Sequence, residues 1–163
     1  MKVFGDMGGW YTVQVTARVD YAVRALAELA ARQGGSATRT QLAEAQGIPS
    51  KFLEAILRDL RKAGLVVAHR GATGGYALAG SPDEITIADV VRAVDGPLAA
   101  VRGAAPESVE YQGAAAPLRE VWIAVRASLR LVLEATTLAD LVDGRLPTNV
   151  RSLLDGDDVY ERR

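Results

Sequence analysis

Residues 48–79 read IPSKFLEAILRDLRKAGLVVAHRGATGGYALA, and this stretch decides the fold. Its first part, Ser50 to Ala63, repeats apolar residues at helical spacing, and Gly64 follows as a helix end. From Leu65 to Arg70 and from Tyr76 to Ala79 the spacing is that of strands, with a glycine-rich turn between them. A helix followed by such a hairpin indicates a winged helix-turn-helix module.

Two more helices are predicted before this stretch. Thr16 caps the first helix, which stops at Gly34-Gly35. The second helix starts at Thr38 and ends at Gly47. Only a short turn containing glycine separates it from the helix that begins at Ser50, which is the helix-turn-helix signature.

A long helix is predicted in the second half of the chain. Thr86 caps a helix that stops at Gly96-Pro97, residues 98–116 form a loop, and the long helix runs from Pro117 to Thr136. Thr137 with Asp140 then begins a last short helix by capping-box logic. The apolar stripe assigned to dimerisation on the long helix consists of Leu118, Val121, Trp122, Val125, Leu129 and Val132. A second apolar stripe lies on another face, so a second copy of the chain is expected to cover one of them.

The predicted fold class is mainly α with a small β-hairpin wing. The predicted organisation is an N-terminal extension (1–12), a winged helix-turn-helix domain (13–97), a loop (98–116), a dimerisation helix with a short terminal helix (117–146), and a polar tail (147–163).

Composition removes most enzyme and metal-site classes. The 163 residues contain no cysteine and one histidine, His69. Thiolate zinc sites, cysteine-ligated clusters and multi-histidine metal sites within one chain are therefore excluded, and a catalytic relay would depend on one imidazole. No run approaches the ~18 apolar residues of a membrane span, and the first residues lack the apolar run of a signal peptide. A cytoplasmic protein without membrane contact, enzymatic activity or a cofactor is expected.

The net charge of −1 hides an uneven distribution. Residues 13–80 hold nine basic and five acidic residues, whereas residues 81–163 hold nine basic and fourteen acidic ones. The basic half coincides with the predicted DNA-reading module. Phosphate contacts need cations only on the docking face, so double-stranded DNA is the expected partner.

The start of the third helix carries the candidate base contacts. Together with Ser50, Lys51 can donate to guanine, Phe52 can pack on a thymine methyl, and Glu54 can accept from cytosine. The alternatives are a core position for Phe52, a phosphate contact for Lys51 and a favourable helix-dipole position for Glu54. The rest of the candidate DNA-binding set is Tyr21, Arg58, Arg61, His69, Arg70, Gly71 and Gly74.

The hairpin supplies a second candidate contact. Arg70 stands just before the turn and can enter a minor groove, whose negative potential attracts arginine. His69 beside it is either a phosphate or base contact or an ordinary surface residue of the strand. Gly71 and Gly74 allow close approach to DNA, although turn geometry alone also explains them.

Five motifs in order resemble the Rrf-two family of bacterial transcriptional regulators, the IscR/NsrR/CymR-like proteins. They are Val15 to Leu26, Ile48 to Glu54, Leu60 to Val66, Arg70 to Tyr76, and Ile87 to Val91 with Asp95-Gly96. The resemblance implies a homodimeric winged-helix regulator that binds pseudo-palindromic operators. It implies base contacts by Lys51, Phe52 and Glu54, minor-groove entry by Arg70 and backbone approach by Tyr21.

The chain also departs from this family. Cluster-binding members carry three cysteines in the loop before the dimerisation helix, and none is present here, so a cysteine-ligated iron–sulfur sensor is ruled out. Arg102, Glu107 and Glu110 occupy this loop, where they either bind a small-molecule effector or protein co-regulator or form a solvated polar loop. The expected function is a homodimeric repressor, and the alternative is a winged-helix module for protein–protein contact.

Overall fold

The computed structural model describes residues 15–71, 74–156 and 159–161, so the N-terminal extension Met1 to Thr12 lies outside the described residues. Helices dominate, and one antiparallel hairpin interrupts them. The elements are α1 (Ala17–Ala31), α2 (Arg39–Gln46), α3 (Ser50–Lys62), β1 (Val66–His69), β2 (Gly75–Leu78), α4 (Ile87–Val94), α5 (Leu118–Leu133), α6 (Leu138–Asp143) and α7 (Thr148–Ser152). The predicted fold class, mainly helical with a two-stranded wing, is confirmed.

Threonine side chains cap the N-termini of four of the described helices. Thr16, Thr38, Thr86 and Thr137 each accept a hydrogen bond from the backbone N–H three residues later. At the last three of these sites the side chain at that later position bonds back to the threonine N–H, which completes a capping box. These local contacts explain why the helix starts agree with the sequence prediction.

The core lies where α1, α2, α3 and α4 meet. From α3, Leu53, Ile56, Leu57 and Leu60 are fully buried, and Leu26 of α1 packs in the same cluster. Burying each of these side chains stabilises the fold by about 2 kcal/mol. The opposite face of α3 is left free for solvent.

A single-residue β-bridge joins the wing to the segment before α2. Ala37 donates to the Tyr76 carbonyl over 2.9 Å and accepts from the Tyr76 N–H over 2.8 Å. Gly75 has φ +157°, and a Cβ there would lie 2.6 Å from the Ala37 carbonyl oxygen. Only glycine therefore fits at this crossing, which fixes the wing against the helical domain.

The chain returns to the winged-helix core after α5. Thr86 and Thr137 pair as an isolated β-bridge, in which Ile87 donates to the Thr136 carbonyl over 2.9 Å and Leu138 to the Ile85 carbonyl over 3.0 Å. The Leu138 side chain is fully buried in the core. Helix α6, which the sequence analysis grouped with the dimerisation helix, is thus part of the core that α1 organises.

Two segments contain more structure than expected. The loop 98–116 includes short 3-10 turns at Pro106–Ser108 and Gly113–Ala115. The segment after Pro147, expected as a polar tail, begins with α7 and continues with exposed Leu153 and Leu154. Helix α5 also begins at Leu118 rather than Pro117 and ends at Leu133. None of the described helices combines the length and the apolar character needed to span a bilayer.

Candidate nucleic-acid interface

The solvent-facing side of α3 carries most of the predicted DNA-binding residues. Ser50, Lys51, Phe52, Arg58 and Arg61 are exposed on it. The Phe52 side chain is 59% exposed, so the alternative that it belongs to the core is wrong. The ring is therefore free to contact an apolar group on a partner surface, such as a thymine methyl.

Tyr21 of α1 supports the start of α3. Its ring centroid lies 6.3 Å from that of Phe52, with 59° between the ring planes, and the Arg24 guanidinium lies 5.6 Å from the Tyr21 centroid. Arg24 also pairs with Asp20 at 3.0 Å and donates to the Gln46 carbonyl at the end of α2. The aromatic pair is therefore braced by residues from the first two helices.

Glu54 is held by a residue that the sequence analysis did not single out. Arg39 at the start of α2 donates through Nη1 to Glu54 Oε2 over 2.7 Å. The two side chains are 42% and 67% exposed, so the ion pair lies on the surface of the helix-turn-helix. The sequence did contain a signal for this role of Arg39, because the helix dipole disfavours a positive charge at the first position of α2.

The wing places its predicted residues on the same side of the module as the end of α3. His69 and Arg70 are exposed, and Arg70 lines one groove with Arg61. A Cβ on Gly74 would lie 2.6 Å from the His69 carbonyl oxygen, and Gly71 has φ +115°. Both glycines are therefore required by the turn, whatever else they contact.

Several cations of this surface are available to an external anion. Among the described residues, no carboxylate lies within 4 Å of the charged groups of Lys51, Arg61, Lys62 or Arg70, whereas the charged groups of Arg18 and Arg39 are paired. Cations that are not neutralised within the protein are the groups that release counterions on binding DNA. The charge distribution of the described surface therefore suits a phosphate backbone.

Helix α5 presents an open apolar face. None of its residues is buried. One shallow groove runs along it and is lined by four residues of the predicted dimerisation stripe, Val121, Val125, Leu129 and Val132. Leu118 of that stripe is half-buried and lies outside the groove. An amphipathic helix with no buried residue lacks the cover that usually stabilises it.

Side chains of α5 hold the loop 98–116. Arg126 contacts the Glu107 carboxylate at 2.6 Å, and Arg119 donates to the Glu107 carbonyl over 3.0 Å. The Glu107 backbone N–H and then Arg126 hold the pKa of the Glu107 carboxyl below its usual value. Trp122, predicted for dimerisation, donates through Nε1 to the Tyr111 hydroxyl over 3.1 Å. The loop is therefore tied to the helix by the chain's own side chains.

The exposed face of α3, which we call the reading helix, the glycine-tipped wing and the open apolar face of α5 are together typical of winged helix-turn-helix proteins of the DNA-binding class. The model of the Rrf2 family, described as an iron-dependent transcriptional regulator, matches residues 15–144. The chain belongs to this family, the Rrf-two family of the resemblance above, whose members are transcriptional regulators and not enzymes.

Relatives and solved structures agree with the family assignment. Rv1287 of Mycobacterium tuberculosis (strain ATCC 25618 / H37Rv), named as an HTH-type transcriptional regulator, is 49% identical over 144 residues, covering 88% of this chain and 89% of that protein. The structure of CymR, the global cysteine regulator of B. subtilis, matches with TM-score 0.68 and 33% identity over 82% of this chain and 98% of that one. The structure of T. potens IscR matches with TM-score 0.63 and 30% identity over 95% and 96%.

The residues present do not fit the cysteine-ligated cluster found in part of this family. The sequence has no cysteine. Within the ranges that the structure describes, no three histidine, aspartate or glutamate side chains group closely enough to hold a metal ion. In the loop 98–116, Glu107 and Tyr111 instead contact α5 directly.

Proposed function

We propose that the chain is a cytoplasmic, homodimeric transcriptional repressor that binds a pseudo-palindromic operator. Helix α3 enters the major groove with its N-terminal residues Ser50, Lys51, Phe52 and Glu54 toward the base edges, and Arg70 of the wing enters the adjacent minor groove. Arg58, Arg61 and His69 contact the phosphate backbone around these two points, and Tyr21 approaches the backbone beside them.

The observation that carries this proposal is the exposed face of α3. One side of the helix is completely buried in the core, so its orientation is fixed. The other side presents the exposed Phe52 next to Lys51 in the sequence, with Arg61 farther along the helix, and neither cation has a carboxylate partner among the described residues. Such a surface combines phosphate attraction with apolar contact to a base. Unpaired cations on both this helix and the wing favour a polyanionic partner such as DNA over an uncharged protein surface.

The open apolar face of α5 supports the homodimer. If the groove along Val121, Val125 and Leu129 is covered by the same groove of a second chain, the two α3 helices are related by a two-fold axis. Two such helices reach successive turns of one face of DNA when they lie roughly 34 Å apart. An inverted repeat of half-sites is therefore the expected operator.

The input is proposed to reach α5 through the loop 98–116. Because Glu107 and Trp122 join this loop to the dimerisation helix, a small-molecule effector or a protein co-regulator that bound the loop would act directly on the helix. No cysteine-ligated cluster takes part in this route.

Binding to the DNA upstream of the chain's own gene tests the proposal. We expect a labelled duplex to bind specifically in fluorescence anisotropy, with affinity falling steeply as salt increases from about 50 to 200 mM. Lys51→Ala should weaken binding, whereas Arg145→Ala, which changes an exposed arginine beyond α6, should not. No binding to any duplex at any ionic strength would refute the proposal and favour a protein–protein interaction module.

A further inference from the structure

Resting on the DNA-binding function proposed above, we infer that Arg39 is a positioning residue that determines specificity by fixing Glu54 for base reading. The ion pair between Arg39 and Glu54 joins the first helix of the helix-turn-helix to the reading helix. Arg39 acts on DNA sequence through Glu54.

Local helix energetics do not explain an arginine at this position. Arg39 is the first residue of α2, where the helix dipole favours negative charge, and the first turn of α2 contains no acidic residue. Thr38 and Gln41 already satisfy the N-terminus of α2 through a capping box. A residue that opposes its local preference is expected to have a role elsewhere, and the contact of Arg39 is with α3.

Glu54 needs such a partner if it reads DNA. It lies in the second turn of α3, and its side chain is 67% exposed on the face that meets DNA. A free carboxylate there would be repelled by the phosphates and could occupy several rotamers. Arg39 engages Oε2, which compensates the charge and leaves Oε1 available to accept from a cytosine amino group.

The geometry of the guanidinium matters as well as its charge. A planar guanidinium directs its N–H groups along fixed lines, whereas a lysine ammonium is a point charge on a flexible stem. Arg39→Lys should therefore keep most of the DNA affinity and lose part of the base discrimination. Arg39→Ala should lose both the compensation and the orientation.

The experiment selects preferred duplexes from a random pool, first with the unmodified chain and then with each variant. We expect the unmodified chain to prefer one base pair at the half-site position that Glu54 reads. Arg39→Ala should lower that preference about fivefold or more, because a well-placed base contact contributes roughly that much discrimination. Arg39→Lys should fall between the two.

Epistasis separates positioning from a structural role. If Arg39 acts only through Glu54, the double variant Arg39→Ala/Glu54→Ala should have the same base profile as Glu54→Ala alone. The matched control is Arg92→Ala, because Arg92 has the same 42% exposure and pairs between α4 and α5 through Glu134, away from the reading face. This control should leave the base profile unchanged.

The outcomes distinguish the two levels of the proposal. If the unmodified chain enriches no sequence, the DNA-binding function itself fails and the role of Arg39 fails with it. If the unmodified chain enriches a half-site and Arg39→Ala, folded by circular dichroism, retains the same profile, the role of Arg39 alone is overturned. A uniform loss of affinity with an unchanged profile would likewise make Arg39 a phosphate contact rather than a positioning residue.

Discussion

Replacing Gly75 with alanine should detach the wing from the helical domain. The added Cβ would lie 2.6 Å from the carbonyl oxygen and 2.7 Å from the carbonyl carbon of Ala37. Both contacts are with backbone, so no side-chain rotation relieves them. The bridge between Ala37 and Tyr76, with its hydrogen bonds of 2.9 and 2.8 Å, must open for the alanine to fit.

The expected loss of stability follows from these contacts. Two backbone hydrogen bonds contribute about 1 kcal/mol each, and the strained backbone of an alanine at φ +157° adds about 1 kcal/mol more. Gly75→Ala should therefore lower the free energy of unfolding by about 3 kcal/mol. With a urea dependence of about 2 kcal/mol per molar, the unfolding midpoint should fall by about 1.5 M.

Urea unfolding followed by circular dichroism measures this shift, and Gly144→Ala is the matched control. Gly144 also has a positive φ, +65°, but a Cβ there meets nothing within 4 Å. Its substitution should strain only the left-handed backbone, which lowers the free energy of unfolding by about 1 kcal/mol and the urea midpoint by about 0.5 M. Equal shifts for the two variants would refute the close crossing of Gly75 and Ala37.

Three further changes test other parts of the account. Arg70→Ala should reduce affinity mainly for operators with narrow minor grooves. Competition between duplexes with and without an A-tract at the wing position measures this, and an equal loss of affinity for both duplexes would show that the assignment of Arg70 is wrong. Val121→Arg should produce monomers and abolish operator binding. Because Val121 is 50% exposed, its substitution spares the fold of the single chain and leaves the Trp122–Tyr111 hydrogen bond intact. A dimer detected by light scattering would contradict the interface. Arg92 and then Arg130 hold the pKa of the Glu134 carboxyl below 4.5, so its ion pairs stabilise the fold above that pH and are lost as the pH falls further. Glu134→Gln should therefore lose less stability than the unmodified chain as the pH falls below 4.5, and identical pH profiles in thermal unfolding would argue against this coupling.

The local part of the fold could be predicted from sequence. Helix starts at Thr16, Thr86 and Thr137 depend on a side chain and a backbone N–H three residues apart, and the end of α3 depends on Gly64 with φ +76°. These contacts join neighbours in the chain, so the spacing of residue types contains the information. The amphipathic stripe of α3 likewise predicted its buried side.

Contacts between distant residues could not be predicted in this way. The pairing of Ala37 with Tyr76, the ion pair of Arg39 with Glu54 and the return of Leu138 to the core each join parts of the chain whose spacing follows no local period. The short helix α7 was also missed, because its five residues are too few for a periodic pattern.

The same limit applied to the candidate site. The residue types on α3 and on the wing indicated which side chains can contact DNA. The structure places Phe52 beside Tyr21, and it places Arg70 in the same groove as Arg61. The helical period places Trp122 on the predicted dimer face, and it gave no sign of the hydrogen bond that joins this side chain to Tyr111 of the loop 98–116. Periodicity identifies an apolar stripe but not the partner of each residue on it.

The mass of the complex formed on a duplex selected from random DNA tests the central claim most directly. We predict that the selected sequence is an inverted repeat and that native mass spectrometry finds two chains on one duplex, with Val121→Arg abolishing the complex. A single chain bound to a sequence without two-fold symmetry, or a pool from which no sequence is enriched, would contradict it.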